Sequence, residues 1–173
     1  HDNKVAYMSG HRYKLNDRLP YLYRTDDEGT TWKLITNGIP NNEFTRVIKE
    51  DPVKPGLLYC GTELGIYVSF DSGDNWQSLR NNLPVVPVHD LIIKSGNLVA
   101  ATHGRSFWIF DNLNVLREIM SSQLGSNSIL FRPSGYVRHL SSAGGLRGGK
   151  SGKNYTIGAG VALTFYEDTD AYG

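Results

Sequence analysis

The sequence predicts an all-β protein assembled from short antiparallel strands, and three observations carry that prediction. Glycine is abundant, at 19 of 173 residues, and the chain holds 10 Tyr, 6 Phe and 3 Trp, a turn-rich and aromatic-rich composition suited to strands. Apolar residues fall in short runs bounded by Gly, Pro, Asn and Asp rather than at helical spacing over ten or more positions. One stretch of the chain recurs further on at a constant offset.

The strands follow from that repeat. RTDDEGTTWKLITNGIP at Arg24 to Pro40 returns as VSFDSGDNWQSLRNNLP at Val68 to Pro84, 44 residues later. The same offset sets Val47 and Ile48 against Leu91 and Ile92. An offset of 40 then matches Gly56, Leu58, Thr62, Tyr67, Phe70 and Asp71 with Gly96, Leu98, Thr102, Phe107, Phe110 and Asp111. Upstream, Val5-Ala6-Tyr7 aligns with Leu57-Leu58-Tyr59, so the first unit carries eight extra residues within Gly10 to Pro20. In the middle unit the apolar runs Phe44 to Glu50, Leu57 to Gly61, Ile66 to Phe70 and Trp76 to Leu79 predict four strands. Four strands in ~40 to 45 residues is the size of one β-propeller blade. The expected units are about 1–40, 41–84 and 85–120. The third ends differently, because NLNVLREIM at Asn112 to Met120 reads as a short helix with Asn112 or Asn114 as its cap.

The repeated box S/T-x-D-x-G-x-T/N-W has a physical reading. Asp27 and Asp71 are placed to accept turn N–H groups, with Thr25 and Ser69 adding a second local bond. Gly29 and Gly73 supply a positive φ, and Trp32 and Trp76 open the outer strand and bury a ring between neighbouring units.

These residues resemble the Asp-box, or BNR repeat, of sialidases, sortilin, xyloglucan-cleaving hydrolases and a photosystem assembly factor. DPVKPGLLYCGTELGIYVSFDSGDNW, LPVVPVHDLII and ATHGRSFWIFDNLNVLR are similar to the propeller end of large bacterial proteins labelled BNR-repeat glycosyl hydrolase or sortilin-like. The resemblance implies Asp-box blades and spans roughly residues 5 to 120. Three blades do not close a ring that takes about four to eight. Remaining blades, from the same or another chain, are therefore expected partners.

Composition narrows the other partners. Eighteen basic and 17 acidic side chains leave a net charge of +1 with no charge block, so nucleic acid is not expected. No apolar run reaches the ~18 residues of a transmembrane helix. The lone Cys60 excludes an internal disulfide and multi-Cys metal sites, and no His/Asp/Glu cluster has ligand spacing, so neither metal nor cofactor is expected.

By the resemblance, the ligand face is the one opposite the boxes. It would collect His11 and Arg12 from the long first-unit loop, Glu43, Arg46, Glu63, His89, Asp90, His103 and Arg105. Asp90 and Glu63 read either as a hydrolytic carboxylate pair, which needs ~5 to 9.5 Å between them, or as residues satisfied by neighbouring strands. Arg105 reads either as an ion-pair partner for an adjacent blade or as an anion contact. Arg12, Arg46 and Arg105 lack the flanking patterns of the sialidase arginines, so that site is not carried over. The expected function is an extracytoplasmic binding or scaffold module for a protein or glycan. The alternatives are a glycoside hydrolase and an assembly subunit of a large envelope complex.

Residues 121–173 read as a β-rich extension. Ile129 to Leu140 predicts one or two strands around a Pro-Ser-Gly turn, the first of them an outer strand for the third unit, Ser141 to Asn154 a Gly/Ser/Lys linker, and Tyr155 to Tyr166 a further strand, which the resemblance implies would belong to the beginning of a β-sandwich module. Gly144, Gly149, Lys150 and Ser151 match a phosphate-loop expression, but the β-prone NYTIGAGVALT follows where a helix is needed, which favours the linker. Asn154-Tyr155-Thr156 is formally a glycosylation acceptor.

Overall fold

The computed structural model describes residues 3–121 and Phe131. The chain divides into two units at Ser121 and Ser122, and the first holds every described element. The readings placed on 122–173, from the extra outer strand to the phosphate-loop expression, lie outside the described residues.

Three antiparallel sheets follow one another along the chain. The first runs β1 (Ala6–Arg12), β2 (Asp17–Thr25) and β3 (Lys33–Leu34). The second runs β4 (Thr45–Glu50), β5 (Leu58–Thr62), β6 (Ile66–Ser69) and β7 (Gln77–Ser78). The third runs β8 (Val88–Lys94), β9 (Asn97–Thr102) and β10 (Phe107–Phe110), followed by α1 (Asn114–Ser121). All three sheets are open, and among the described residues only the middle one has the four strands expected of every unit. Among the described residues the first lacks a counterpart of β4 and the third a counterpart of β7.

Hydrogen bonds outside the ladders recur from sheet to sheet. Glu28 N–H donates to Lys4 O at 3.1 Å, Ser72 N–H to Gly56 O at 2.9 Å, and Leu113 N–H to Gly96 O at 2.8 Å. Each ties the segment after the third of the repeat's four strand positions back to the turn before the second. The pairing also corrects the alignment in two places. Ile48 pairs with Cys60 and Leu91 with Ala100, so Ile48 corresponds to Leu91 at an offset of 43. Cys60 pairs with Tyr67 but Ala100 with Trp108, so Tyr67 corresponds to Trp108 and the offset becomes 41. The extra residue sits in the Thr102 to Ser106 turn, closed by Thr102 N–H to Ser106 O where Thr62 N–H reaches Gly65 O. Asp111 therefore stands opposite Phe70, not Asp71.

Strand alternation gives each sheet two faces. Tyr7 and Leu22 of the first sheet pack against Leu58, Cys60, Tyr67 and Trp76 of the second. The opposite face of the second, with Tyr59, Ile66 and Val68, packs against Leu91, Leu98, Ala100 and Trp108 of the third. Burial on both faces explains why β5 and β6 read as unbroken buried runs. Among the described residues, no sheet packs on the two end faces. On the first sheet Met8, Tyr23 and Leu34 form one cross-strand row, with Met8 47% and Leu34 52% exposed. On the third, Ile92, Val99 and Ile109 form another, with Ile92 56% and Ile109 59% exposed.

Helix α1 is fastened by a buried ion pair. Arg117 donates Nε to both oxygens of fully buried Asp51, at 3.1 and 3.0 Å, and its NH2 lies 3.0 Å from Oδ2. Asp51 also accepts the Val53 and Lys54 N–H groups and the Tyr59 hydroxyl. Asn112 adopts a φ of 61°, and the Asn114 side-chain oxygen accepts from Arg117 NH1 at 3.0 Å. The helix starts two residues later than the sequence suggests.

Candidate functional site

The two aspartate turns are built by the same bonds. In the first, the Thr25 hydroxyl donates to Asp27 Oδ1 at 2.7 Å and accepts the Gly29 N–H at 2.9 Å, while Asp27 accepts the Thr31 N–H at 2.8 Å and hydroxyl at 2.7 Å. In the second, Ser69 donates to Asp71 at 2.8 Å and accepts the Gly73 N–H at 2.9 Å, while Asp71 accepts the Asn75 N–H at 2.8 Å and side-chain amide at 2.7 Å. Glu28 and Gly29 both have positive φ, as do Ser72 and Gly73. Thr31's N–H and hydroxyl, then Thr25's hydroxyl, hold Asp27 down to about 2. Burial pushes Asp71 upward, but the bonds from Asn75 and Ser69 outweigh it and leave it below its ordinary value.

The tryptophans after these turns differ. Trp76 is 4% exposed, packs between the first two sheets, and donates Nε1 to Ile35 O at 2.7 Å. Trp32, expected to be buried, is 42% exposed and donates instead to Gly29 O at 3.1 Å. Its side of the first sheet faces no neighbouring sheet among the described residues, which is the physical reason for the difference.

The opposite rim is formed where β5 and β9 end and β4 and β8 begin. Glu63 N–H donates to Phe44 O at 3.1 Å, and His103 N–H to Pro87 O at 2.9 Å, so Glu63 and His103 hold equivalent places. Ladder irregularities between Thr45 and Val47 and between Val88 and Asp90 release Arg46 and His89 from the regular alternation. Arg46 donates Nε and NH2 to Glu63 Oε2, at 2.9 and 2.5 Å. At the equivalent pair of positions, the His89 and His103 rings stack with centroids 5.1 Å apart. Burial lowers the His89 pKa, and Arg46 and His103 lower it further, against an opposing pull from Glu63.

Aromatic rings extend this rim toward the first sheet. Tyr13 stacks on Phe44 at 5.2 Å, His11 lies 5.0 Å from Tyr13 and 6.0 Å from Phe44, and Arg46 Cζ sits 4.9 Å from the Phe44 centroid. His11 and Arg12 are the end of β1, not a loop. The eight extra residues lengthen the β1–β2 hairpin through a 3-10 turn at Tyr13–Leu15.

Other expected site residues lie elsewhere. Glu43 is buried and accepts the Tyr67 and Thr62 hydroxyls at 3.0 and 3.1 Å. Burial, and then the Glu43 charge, push Tyr67 up to about 12. Arg12 pairs with Asp17 at 3.6 Å. Asp90 shares a row with Ala101 and Phe107 on the end face of the third sheet and accepts the Leu91 N–H. Glu63 faces the Arg46 guanidinium. Arg105 is exposed, and its carbonyl accepts the Trp108 indole N–H at 2.9 Å. A cavity of about 310 Å³ lies apart from the rim, between Ile66, Leu79 and Leu83 on one side and Leu98, Trp108 and Phe110 on the other.

The rim thus combines stacked rings, imidazoles able to donate or accept, and a guanidinium held over an aromatic face. Such a surface suits recognition of a polar partner with flat apolar patches. Sequence reading overlooked Tyr13 and Phe44. Their spacing carries no motif, and the only signal was the hairpin's extra length. Among the described residues no group of three or more metal-ligating side chains could hold an ion, and no helix is long and apolar enough to cross a membrane. No family model and no curated protein matches the chain.

Proposed function

We propose that the three sheets are consecutive Asp-box blades of a β-propeller, and that the unit is an extracytoplasmic binding and scaffold module whose rim opposite the aspartate turns meets a protein or glycan. The observation that carries the reading is convergence. His11, Arg46, Glu63, His89 and His103 come from three separate sheets to one rim, where they cluster with Tyr13 and Phe44. Supporting the binding role over hydrolysis, Glu63 is engaged by Arg46, and Asp90 lies on another face. The extracytoplasmic placement rests on the resemblance of the repeat.

The test uses the full chain on immobilised glycans and peptides, alongside Tyr13→Ala and His103→Ala. Partners retained by the wild type are expected to lose at least about tenfold in affinity with either variant, the range of about 1.4 kcal/mol or more. Unchanged binding by both variants would contradict the reading. So would aryl-glycoside hydrolysis that disappears in Glu63→Gln or Asp90→Asn.

A further inference from the structure

We propose that the His89 and His103 pair receives a carboxylate from an acidic peptide segment of the rim's partner, and that the rim holds such a segment more tightly as the pH falls. The proposal deepens the binding reading above and rests on it. It starts from one pair of positions that two successive sheets fill differently. Arg46 and His89 both stand in the ladder irregularity at the start of their strands, and Glu63 and His103 both follow the last residue of β5 and β9. In the second sheet the pair is a cation and a carboxylate, joined through Nε and NH2 of Arg46. In the third, an imidazole replaces each member and the carboxylate is gone.

The imidazoles are left without a counter-charge of their own. Their rings stack with centroids 5.1 Å and planes 27° apart, both residues are exposed, and among the described residues neither side chain makes a hydrogen bond or an ion pair. The charges around them do not fill the gap. Arg46 and Glu63 on the neighbouring sheet neutralise each other. Asp90, next on β8, turns its carboxylate to the Leu91 N–H. Arg105, in the same turn as His103, adds a further cation, and β5 and β9 themselves carry no charged side chain. Burial, then Arg46 and His103, disfavour a charge on His89 against the pull of Glu63. A carboxylate lying against both rings would reverse that balance.

The second sheet supplies the template for the missing anion. There the counter-charge is the carboxylate of a glutamate side chain, so a Glu or Asp side chain of a protein partner is the matching ligand for the third. Such a carboxylate favours the protonated imidazole, and binding therefore takes up protons. By linkage, affinity rises as the pH falls through the imidazole range. The rise ends where the ligand's own carboxylate protonates, near about 4.

The test titrates the full chain with an oligoglutamate peptide at about pH 8 and about pH 5.5, either side of the imidazole range. Affinity is expected to rise at least about tenfold on acidification, with no such rise for an oligoglutamine peptide of the same length. His103→Glu gives the third sheet the carboxylate that the second already holds, and it should abolish the rise. His89→Gln should do the same. Imidazole NMR should show the His89 titration moving to higher pH when the peptide is added. An absence of peptide binding, binding that ignores pH, an equal rise in His103→Glu, or capture of oligogalacturonate in place of the peptide would each overturn the inference. Tyr13→Ala separates that failure from failure of the rim reading. If it still weakens a pH-independent binding, the rim reading stands and the carboxylate site alone falls.

Discussion

Trp76→Ala is expected to lower unfolding stability by about 3–5 kcal/mol, whereas Trp32→Ala should change it by less than ~1 kcal/mol. The two residues occupy the same place in the same repeated turn, so local sequence does not separate them. Their surroundings do. Trp76 fills the junction between the first two sheets beside Leu22, Ile35 and Tyr67, and its indole N–H satisfies the Ile35 carbonyl. Removing it leaves a cavity and an acceptor without its donor, two costs that add. The same junction is tight at the backbone. A Cβ on Gly38, which has a φ of +96°, would lie 2.2 Å from Trp76 O. Trp32 covers the Gly29 turn and little else, at 42% exposure. Urea denaturation of both variants checks the contrast, and equal losses would mean that the two sites are packed alike.

Arg117→Ala is expected to cost about 3–5 kcal/mol, because it leaves the Asp51 carboxylate buried without its cation. Asp51→Ala should cost a similar amount, since it strips acceptors from the guanidinium, two backbone N–H groups and the Tyr59 hydroxyl at once. The double variant Asp51→Ala with Arg117→Ala should lose less than the two single losses summed, as both charges go together. Denaturation midpoints of the singles and the double complete the cycle, and additive losses would show that the pair does not act as a unit. The pair joins the turn after β4 to α1 across 66 residues of sequence. In the third sheet, this helix follows β10 where the second sheet has β7 after β6.

What the sequence made legible was what is local. Thr25, Asp27 and Gly29 interact within four residues of one another, and so do Ser69, Asp71 and Gly73. A pattern of residue types therefore suffices to place those bonds. The strands of the second unit were also readable, because a sheet buried on both faces leaves continuous apolar runs. The one-residue change at Thr102 to Ser106 was not, because ATHGRSFW and GTELGIYV align equally well until the ladder pairs Trp108 with Ala100. Nor was the fate of Glu43. Only the tertiary approach of Tyr67 and Thr62 makes it a buried acceptor and removes it from the rim.

The account's central claim is that one aspartate turn is built twice, closing equivalent corners of neighbouring sheets. Both carboxylates are depressed in the folded state, Asp27 to about 2 and Asp71 also downward. A depressed carboxylate contributes stability above its unfolded value, and that contribution fades as acid protonates the folded form. For Asp27 the window runs from the ordinary 3.8 down to about 2. Side-chain carboxyl carbon NMR through an acid titration reads both groups directly. The account predicts that Asp27 and Asp71 each titrate below the ordinary aspartate range, with Asp27 near about 2. An ordinary titration for either one would mean that its turn is not closed by the bonds described, and would contradict the claim.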